Sequence, residues 1–256
     1  MNDRLRWIGH ATVELSLGGT VVLTDPVLRT RVGHLRRAAP AVVPDAGTTD
    51  VVVLSHLHRD HADLPSLRRV GGHPAVVVPR GAGRFLPMAL RARAVELAVG
   101  DGVTVDGVGV RAVPARHDGR RHPLARSASS PDALGYVVTR NGKRIYFAGD
   151  TDLFDGMAHI GESGLHVALL PIAGWGPKLG PGHLDPERAA KAAALLRPAV
   201  VVPIHWGTFV PAQLVRGREA LLSEPMPAFA KALAAHAPDV RLAALAPGET
   251  LPLPAV

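Results

Sequence analysis

The segment Ser55–His61 carries three imidazole side chains and one carboxylate directly after the β-branched run Asp50–Leu54. A continuous run of this kind is typical of a strand buried on both faces, so the polar segment falls in the turn that ends the strand. In such a turn the first two histidines can point to one side, while Asp60 and His61 point to another. Imidazole and carboxylate groups bind Zn²⁺, Mn²⁺ and Fe²⁺ in proteins. The segment therefore predicts a site for divalent metal ions.

One turn supplies too few ligands for a pair of metal ions, so other parts of the chain must contribute. Three candidates, His117, Asp150 and His205, each follow a predicted strand. Two small residues precede the aspartate and let the backbone come close to its neighbours. Ligand-binding loops cluster where strands end at the edge of a sheet. Taken singly, each candidate could be a loop residue, a turn former or a buried structural histidine, but together with the first segment they indicate one metal centre.

Strands come first in each half of the chain and helices follow. Asp185 followed by Pro186 predicts the start of a strong helix, since aspartate caps free N–H groups and proline suits the first turn. Two sheets packed face to face with helices outside, an α/β fold of the αβ/βα four-layer sandwich type, would satisfy this order. The predicted strands are Leu5–Ile8, Thr12–Leu17, Val21–Thr24, Asp50–Leu54, Ala75–Val78, Val103–Val105, Val108–Val113, Gly135–Thr139, Arg144–Phe147, Val167–Leu170, Val200–Pro203 and Arg241–Leu245. The predicted helices are Leu64–Val70, Ala82–Ala92, Glu187–Leu196 and Ala228–Ala235.

Length and composition narrow the class of protein. The 256 residues contain no linker-like stretch, so we interpret 1–256 as one domain. The net charge is +7, but only four of the 29 basic residues are lysines and they are spread along the chain, so we predict no nucleic-acid partner. The absence of cysteine excludes disulfides and thiolate ligands. We expect no transmembrane segment and a cytoplasmic location, and the oligomeric state stays open.

Several stretches of the sequence resemble the metallo-β-lactamase superfamily. The order His-x-His-x-Asp-His, followed by His117, Asp150 and His205, is similar to the ligand order of that superfamily. The resemblance is closer to the branch of the N-acyl-phosphatidylethanolamine-hydrolysing phospholipase D and the ascorbate-phosphate lactonase-like proteins. It implies a metallo-β-lactamase-like αβ/βα sandwich and a metal-dependent hydrolase. The matching stretches are Trp7–Thr12, Leu23–Pro26, Ser55–His61, Phe147–Thr151, His183–Ala189 and Ile204–Phe209.

The resemblance also implies a role for each polar residue. Two divalent metal ions are expected, with Asp150 bridging them. Asp60 and His183 are the expected catalytic residues, the first as a ligand that also orients the nucleophile and the second as a contact to the substrate or leaving group. His10 and Asp25 are expected close by, with a purely structural role as the alternative. The first ion is expected to be held by His56, His58 and His117, and the second by Asp60, His61 and His205.

Two divalent ions about 3.5–4 Å apart can share a hydroxide and stabilise charge on the attacking and leaving oxygens. The expected reaction is hydrolysis of a phosphodiester, as in a phospholipase D, or of a related anionic ester that is a small molecule or derived from a lipid. A lactonase or carboxylic ester hydrolase with the same site is the alternative. A nuclease and a non-catalytic binding protein are weaker alternatives. The histidine-rich ligand set favours Zn²⁺, with Mn²⁺ or Fe²⁺ as alternatives.

Substrate recognition is less well marked in the sequence. Arg116, Arg120, Arg121 and Arg126 flank His117, and guanidinium groups suit phosphate or carboxylate, although a solvated basic loop is the alternative. An apolar wall could come from the tryptophan at 175, which could equally be a packing residue. The loop after His117 and the tail from 210 onward depart from the phospholipase branch, which leaves the lipid substrate open.

Overall fold

The structure is a computed structural model and describes residues 3–44, 49–120, 131–176, 178–214 and 218–253. Its strands are β1 Arg4–Gly9, β2 Thr12–Leu17, β3 Thr20–Thr24, β4 Arg31–Val32, β5 Leu35–Arg37, β6 Val51–Val53, β7 Ala75–Pro79, β8 Ala94–Leu97, β9 Gly102–Val105, β10 Val108–Pro114, β11 Leu134–Arg140, β12 Lys143–Phe147, β13 Val167–Pro171, β14 Val200–Ile204, β15 Phe209–Pro211, β16 Arg241–Leu242 and β17 Thr250–Pro252. Its helices are α1 Leu64–Leu67, α2 Met88–Arg91, α3 Met157–Gly161, α4 Pro186–Leu196, α5 Arg218–Ser223 and α6 Pro225–His236, with a short 3₁₀ helix at Gly83–Phe85.

Two seven-stranded sheets follow the same plan, antiparallel on one side and parallel on the other. The first has the order β17-β1-β2-β3-β6-β7-β8 and is parallel from β3 to β8. The second has the order β16-β14-β13-β12-β11-β10-β9 and is parallel from β12 to β16. A small third sheet has the order β15-β5-β4. Because parallel strands end at the same edge of a sheet, the loops after β12 and β14 leave the second sheet at the same edge, on either side of the loop after β13.

Three buried apolar clusters hold four layers together, two sheets and the helices on either side of them. Residues from both large sheets, such as Trp7, Val53 and Phe147, share one buried cluster between them. A second cluster joins the outer face of the β12–β14 sheet to α3, α4 and α6. A third joins the outer face of β6 and β7 to α1 and α2. Helices therefore cover both outer faces, and the predicted αβ/βα sandwich is confirmed.

The helix α4 begins as the sequence predicts. The side chain of Asp185 accepts a hydrogen bond from the Arg188 backbone N–H at 2.8 Å, and Pro186 occupies the first turn. Its buried face is rich in alanine, which lets the helix come close to the sheet; the buried alanines are Ala189, Ala190, Ala192 and Ala193. This helix carries the chain away from the loop that contains His183.

Some predicted elements are wrong in extent. The predicted helix Ala82–Ala92 is broken into the 3₁₀ helix and α2, because Pro87 forces Leu86 into an extended conformation, with ψ at 151°. The predicted strand Arg241–Leu245 ends at Leu242, and the predicted helix Leu64–Val70 ends at Leu67. Short strands such as β4, β5 and β15 give little periodic signal and were not predicted. Among the described helices, none is long and apolar enough to cross a membrane.

Candidate metal centre

The loops that follow β6, β10, β12 and β14 meet at one edge of the sandwich. They bring together all the residues that the sequence marks as ligands, in groups whose nitrogen and oxygen atoms lie within 4.8 Å of one another. One group is His56, His58 and His117, and another is His10, Asp60, His61 and His205. Asp150 and His183 form a further group with His117. His56 and His58 therefore lie in one group, and Asp60 and His61 lie in another, as predicted for the turn after β6.

In the first group, two imidazole Nε2 atoms carry a lone pair and have no hydrogen to donate. His117 donates its Nδ1 hydrogen to the Gly182 carbonyl at 2.8 Å, which leaves a lone pair on Nε2, 3.1 Å from His58 Nδ1. The Ser55 hydroxyl donates to Asp25 at 2.5 Å and therefore accepts from His56 Nδ1 at 2.9 Å. His56 Nε2 is then also a lone pair, and it is buried without a hydrogen-bond partner.

The second group has the same property. His61 donates its Nδ1 hydrogen to Asp25 at 2.7 Å, and His205 donates its own to the Ala173 carbonyl at 2.8 Å. Their Nε2 atoms nevertheless face each other at 3.1 Å. If both rings are neutral, two lone pairs at this distance repel, so a positive charge must lie beside them, either a proton on His61 or a metal ion. The donor set therefore fits a divalent cation, for which neutral imidazole is a common ligand.

Asp150 lies between the two groups. Its Oδ2 is 3.2 Å from His61 Nε2 and 4.0 Å from His117 Nε2, and its Oδ1 is 3.3 Å from His205 Nε2. Oδ1 is buried without a hydrogen-bond partner. The preceding Gly149 has φ at +59°, and a Cβ at this position would collide with the side chain of Ser55. The predicted close approach at this position is present, and it sets the carboxylate between the two groups of histidines.

The electrostatics of the centre keep the carboxylates charged and the imidazoles neutral, with His61 as the exception. Burial lowers the pKa of His56 well below its usual value and that of His117 to about 4. Burial alone would raise the pKa of Asp150, but the charges of His205 and His61 outweigh it and hold the pKa well below the usual range. Burial would lower the pKa of His61. The nearby Asp150, Asp25 and Asp60 outweigh this effect and raise the pKa well above the usual value. These carboxylates attract positive charge to the centre.

His10 and Asp25 support the ligands directly. His10 Nε2 lies 3.2 Å from Asp60 Oδ2, and burial together with His205 lowers the His10 pKa to about 3, so its ring is neutral and donates to the carboxylate. Asp25 accepts from the Ser55 backbone and hydroxyl and from His61. His10, Asp25 and His205 have positive φ values of 54°, 31° and 63°. Such backbone strain, on the order of 1–3 kcal/mol for each residue, is typical of functional sites.

A pocket of about 450 Å³ opens onto the metal centre. His58, Asp60, Asp150 and His183 line it, and His183 Nε2 lies 3.5 Å from Asp150 Oδ2. Trp175, which the sequence marks as a possible apolar wall, lines it and contacts His34 edge to face with ring centroids 4.8 Å apart. Val32, Gly33, His34 and Leu35 of the β4–β5 hairpin complete the wall.

The basic residues that line the pocket differ from those that the sequence suggests. Arg120 donates to Asp118 at 2.6 Å, and neither Arg120 nor Arg116 is among the described lining residues. Arg121 and Arg126 lie outside the described residues. The lining arginine is Arg59, which the sequence analysis does not mark although it stands inside the segment Ser55–His61. Its position between two candidate ligands, His58 and Asp60, is the signal that could have identified it.

Comparisons with known proteins agree with this geometry. Residues 20–206, more than half of the chain, match the Beta-lactamase superfamily domain. The chain is 33% identical over 270 residues to a UPF0173 metal-dependent hydrolase of Nitratidesulfovibrio vulgaris, covering 99% of this chain and 96% of the relative. It is 37% identical over 216 residues to a UPF0173 metal-dependent hydrolase of Thermus thermophilus, covering 81% and 85%.

Solved structures show the same fold. Igni18, a metallo hydrolase from the archaeon Ignicoccus hospitalis, superposes with a TM-score of 0.72 at 26% identity over 98% of both chains. An isothiocyanate hydrolase from Delia radicum gut bacteria superposes with a TM-score of 0.68 at 23% identity, over 98% of this chain and 100% of that one, which is a likeness of fold alone.

The fold and the relatives together show that the protein is a metal-dependent hydrolase with the metallo-β-lactamase fold. The chain belongs to the beta-lactamase superfamily. The resemblance to that superfamily is thereby confirmed, while the closer resemblance to the phospholipase D branch stays a prediction.

Proposed function

We propose that the protein hydrolyses a small anionic ester, with a phosphodiester as the first candidate, at a centre that holds two divalent metal ions. The position of Asp150 carries this proposal. Its carboxylate lies within 3.2–4.0 Å of histidine nitrogens from both groups, and its Oδ1 has no hydrogen-bond partner. A carboxylate placed in this way is suited to bridge two ions, each completed by its own histidines.

The residues divide into two ligand sets. His56, His58 and His117 would hold one ion and Asp60, His61 and His205 the other, with Asp150 shared. Two divalent ions in such a site supply a nucleophile from water at neutral pH and stabilise charge on the attacking and leaving oxygens. Five of the seven ligands are imidazoles and none contains sulfur, which favours Zn²⁺, with Mn²⁺ or Fe²⁺ as alternatives.

His183 would act on the substrate rather than on the metals. It lines the pocket, is partly exposed, and donates its Nδ1 hydrogen to the Gly180 carbonyl at 3.1 Å. This hydrogen bond holds Nε2 toward the pocket, 3.5 Å from Asp150 Oδ2. In that place His183 would contact the leaving group of a bound ester.

A lactone or carboxylic ester is the second candidate, and the shape of the pocket favours it. Val32, Leu35 and Trp175 form an apolar wall beside the metal centre. Such a wall suits the hydrocarbon part of a lactone better than the polar groups of a nucleotide. The volume of about 450 Å³ is that of a site for a small molecule.

The test compares hydrolysis of bis(4-nitrophenyl) phosphate with that of a simple lactone, using protein loaded with Zn²⁺ or Mn²⁺. Asp60→Asn should abolish turnover, whereas Asp155→Asn, at an exposed site away from the pocket, should keep it. Phosphodiester turnover that depends on Asp60 supports the first candidate, and lactone turnover alone supports the second. Full activity in Asp60→Asn would show that the site assignment is wrong.

A further inference from the structure

The lining of the pocket beside the metal centre combines apolar and cationic side chains. Val32, Leu35 and Trp175 supply apolar surface. Arg59 is the single lysine or arginine among the described lining residues. A pocket lined in this way can select a ligand both by its negative charge and by its hydrocarbon part.

Arg59 differs from the paired arginines of the protein. Within the described part of the chain, no carboxylate pairs with it and its side chain is exposed. The guanidinium groups of four other arginines are each held by an aspartate, in the pairs Arg29–Asp63, Arg80–Asp101, Arg120–Asp118 and Arg188–Asp152. A guanidinium that lines a pocket and has no internal partner is free to bind an anionic group of a ligand.

Arg59 is adjacent in the chain to two proposed metal ligands, so it lies close to the place where an ester would react. It stands between His58 and Asp60, one proposed ligand of each ion, so its Cα is about 3.8 Å from the Cα of both. The turn that carries it is held by the His61 and Ala62 backbone N–H groups, which donate to the His58 carbonyl at 3.1 Å and 2.8 Å. The backbone of Arg59 is therefore fixed next to two proposed metal ligands, and its side chain can reach an anionic group of an ester bound at the metal centre.

We infer that Arg59 is the anion-binding residue of this pocket and that the substrate is an amphipathic anion. Its negative group, distinct from the reacting ester, binds Arg59, and its apolar part packs against Val32, Leu35 and Trp175. This inference rests on the proposed function, because it takes the pocket as the place where the ester reacts. It narrows the substrate class to esters with a carboxylate or phosphate outside the reacting bond.

Binding of thiol probes tests the inference without requiring turnover. Mercaptoacetate, 3-mercaptopropionate and 6-mercaptohexanoate bind metal through sulfur and carry a carboxylate at increasing distance. Each is compared with its own methyl ester, which lacks the charge, by isothermal titration calorimetry on Zn²⁺-loaded protein. The chain has no cysteine, so the thiols cannot form disulfides with it.

Arg59→Gln should weaken binding of the best-fitting acid about tenfold and leave its methyl ester unchanged, since a charge-assisted hydrogen bond is lost. Arg59→Lys should restore part of the difference. Arg36→Gln, which removes an exposed charge from β5 outside the pocket lining, should change neither. Leu35→Ala should weaken the six-carbon acid more than the two-carbon acid.

The outcomes distinguish a failure of the inference about Arg59 from a failure of the proposed function. If acids and esters bind well and Arg59→Gln weakens both equally, the inference is overturned and the proposed metal centre stands. If Arg36→Gln has the same effect as Arg59→Gln, the overall positive charge of the protein and not Arg59 selects the anion. This result would also overturn the inference. If no thiol binds the wild-type protein and chelation changes nothing, the proposed function fails and the inference with it.

Discussion

The indole Nε1 of Trp175 donates a hydrogen bond to Oδ2 of Asp60 at 3.1 Å, across 115 positions of sequence. The same oxygen accepts from His10 Nε2 at 3.2 Å and lies 3.8 Å from His61 Nε2. Two donors that are far apart in the sequence, His10 and Trp175, thus hold one carboxylate oxygen at the second ligand set. Trp175 is at once a wall of the pocket and a support of a proposed metal ligand.

Replacing Trp175 by phenylalanine should separate these two roles. Phe keeps an aromatic wall against His34 but removes the N–H that orients Asp60. A hydrogen bond to a charged group contributes about 1.5–3 kcal/mol, so we expect kcat on the ester that the wild type hydrolyses to fall by about tenfold or more. Metal content, measured by elemental analysis, should stay unchanged.

Trp206→Phe is the matched control. Its indole N–H donates to the Pro203 carbonyl at 3.2 Å and does not contact Asp60. If both substitutions lower kcat alike, loss of aromatic packing and not the hydrogen bond to Asp60 is the cause.

Metal stoichiometry tests the two ligand sets. Metal-free protein titrated with Zn²⁺ should bind two ions per chain, and His58→Ala should reduce this to one, since His58 belongs to the first set alone. His159→Ala removes an exposed histidine paired with Glu162 and should leave two. A wild-type protein that binds one ion would contradict the bridging role of Asp150.

Asp25 should be needed for both stability and metal binding. It is fully buried and accepts hydrogen bonds from the Ser55 N–H, the Ser55 hydroxyl and His61 Nδ1. Asp25→Ala leaves these donors without a partner, so the free energy of unfolding should fall by about 3–5 kcal/mol. Metal affinity should fall by about 10–100-fold, as for other residues that orient ligands. Asp25→Asn keeps the shape and one acceptor oxygen and should show smaller losses.

The comparison for Asp25 is Asp63→Ala. Asp63 is also buried, caps α1 through the Ser66 N–H and pairs with Arg29, but it touches no proposed ligand. Denaturant titration should show a loss of stability in this variant with unchanged Zn²⁺ affinity. Equal effects on metal affinity in the two variants would indicate that general destabilisation, and not the contact with His61, weakens the site.

Much of this centre could be predicted from the sequence because its ligands follow buried strands. The β-branched run before Ser55 and the strands before Asp150 and His205 give strong local signals. Parallel strand ends then bring these loops to one edge of the sandwich without further information. The gathering of these residues at one place follows from their positions after strands, whereas their division into two ligand sets comes from the resemblance to the superfamily and stays a prediction.

The wall of the pocket could not be predicted in the same way. The strands β4 and β5 contain two and three residues, too few to show alternation. Their hairpin is held through β15, with Arg37 opposite Phe209, a pairing that no local pattern specifies. The contact of Trp175 with Asp60 depends on the same long-range arrangement, so the sequence marked the tryptophan but not its partner.

His183 should matter for turnover and not for metal binding. Because it lines the pocket and would contact the leaving group, His183→Gln should lower kcat by about 10²–10⁴-fold if it also transfers a proton. Its zinc content should equal that of the wild type. His236→Gln, at a surface pair with Glu187, serves as the control. Loss of zinc in His183→Gln would instead make His183 a ligand.

Gly149→Ala should disturb the centre through the backbone. Gly149 has φ at +59°, where a residue with a Cβ is strained by about 1–2 kcal/mol, and its new methyl group would also collide with Ser55. Ser55 links Asp25 to His56, and the next residue is the proposed bridge Asp150. Relief of the collision must therefore move a ligand of one or both ions. We expect lower stability, weaker binding of the second equivalent of Zn²⁺ and loss of turnover together.

Gly100→Ala isolates the strain from the collision. Gly100 also has a positive φ of +93°, but a Cβ there would meet no atom within 4 Å. This variant should lose about 1–2 kcal/mol of stability in a denaturant titration and keep full activity and both metal ions. If Gly149→Ala behaves in the same way as Gly100→Ala, the close approach of Gly149 to Ser55 does not position Asp150, because the only shared effect of the two substitutions is backbone strain.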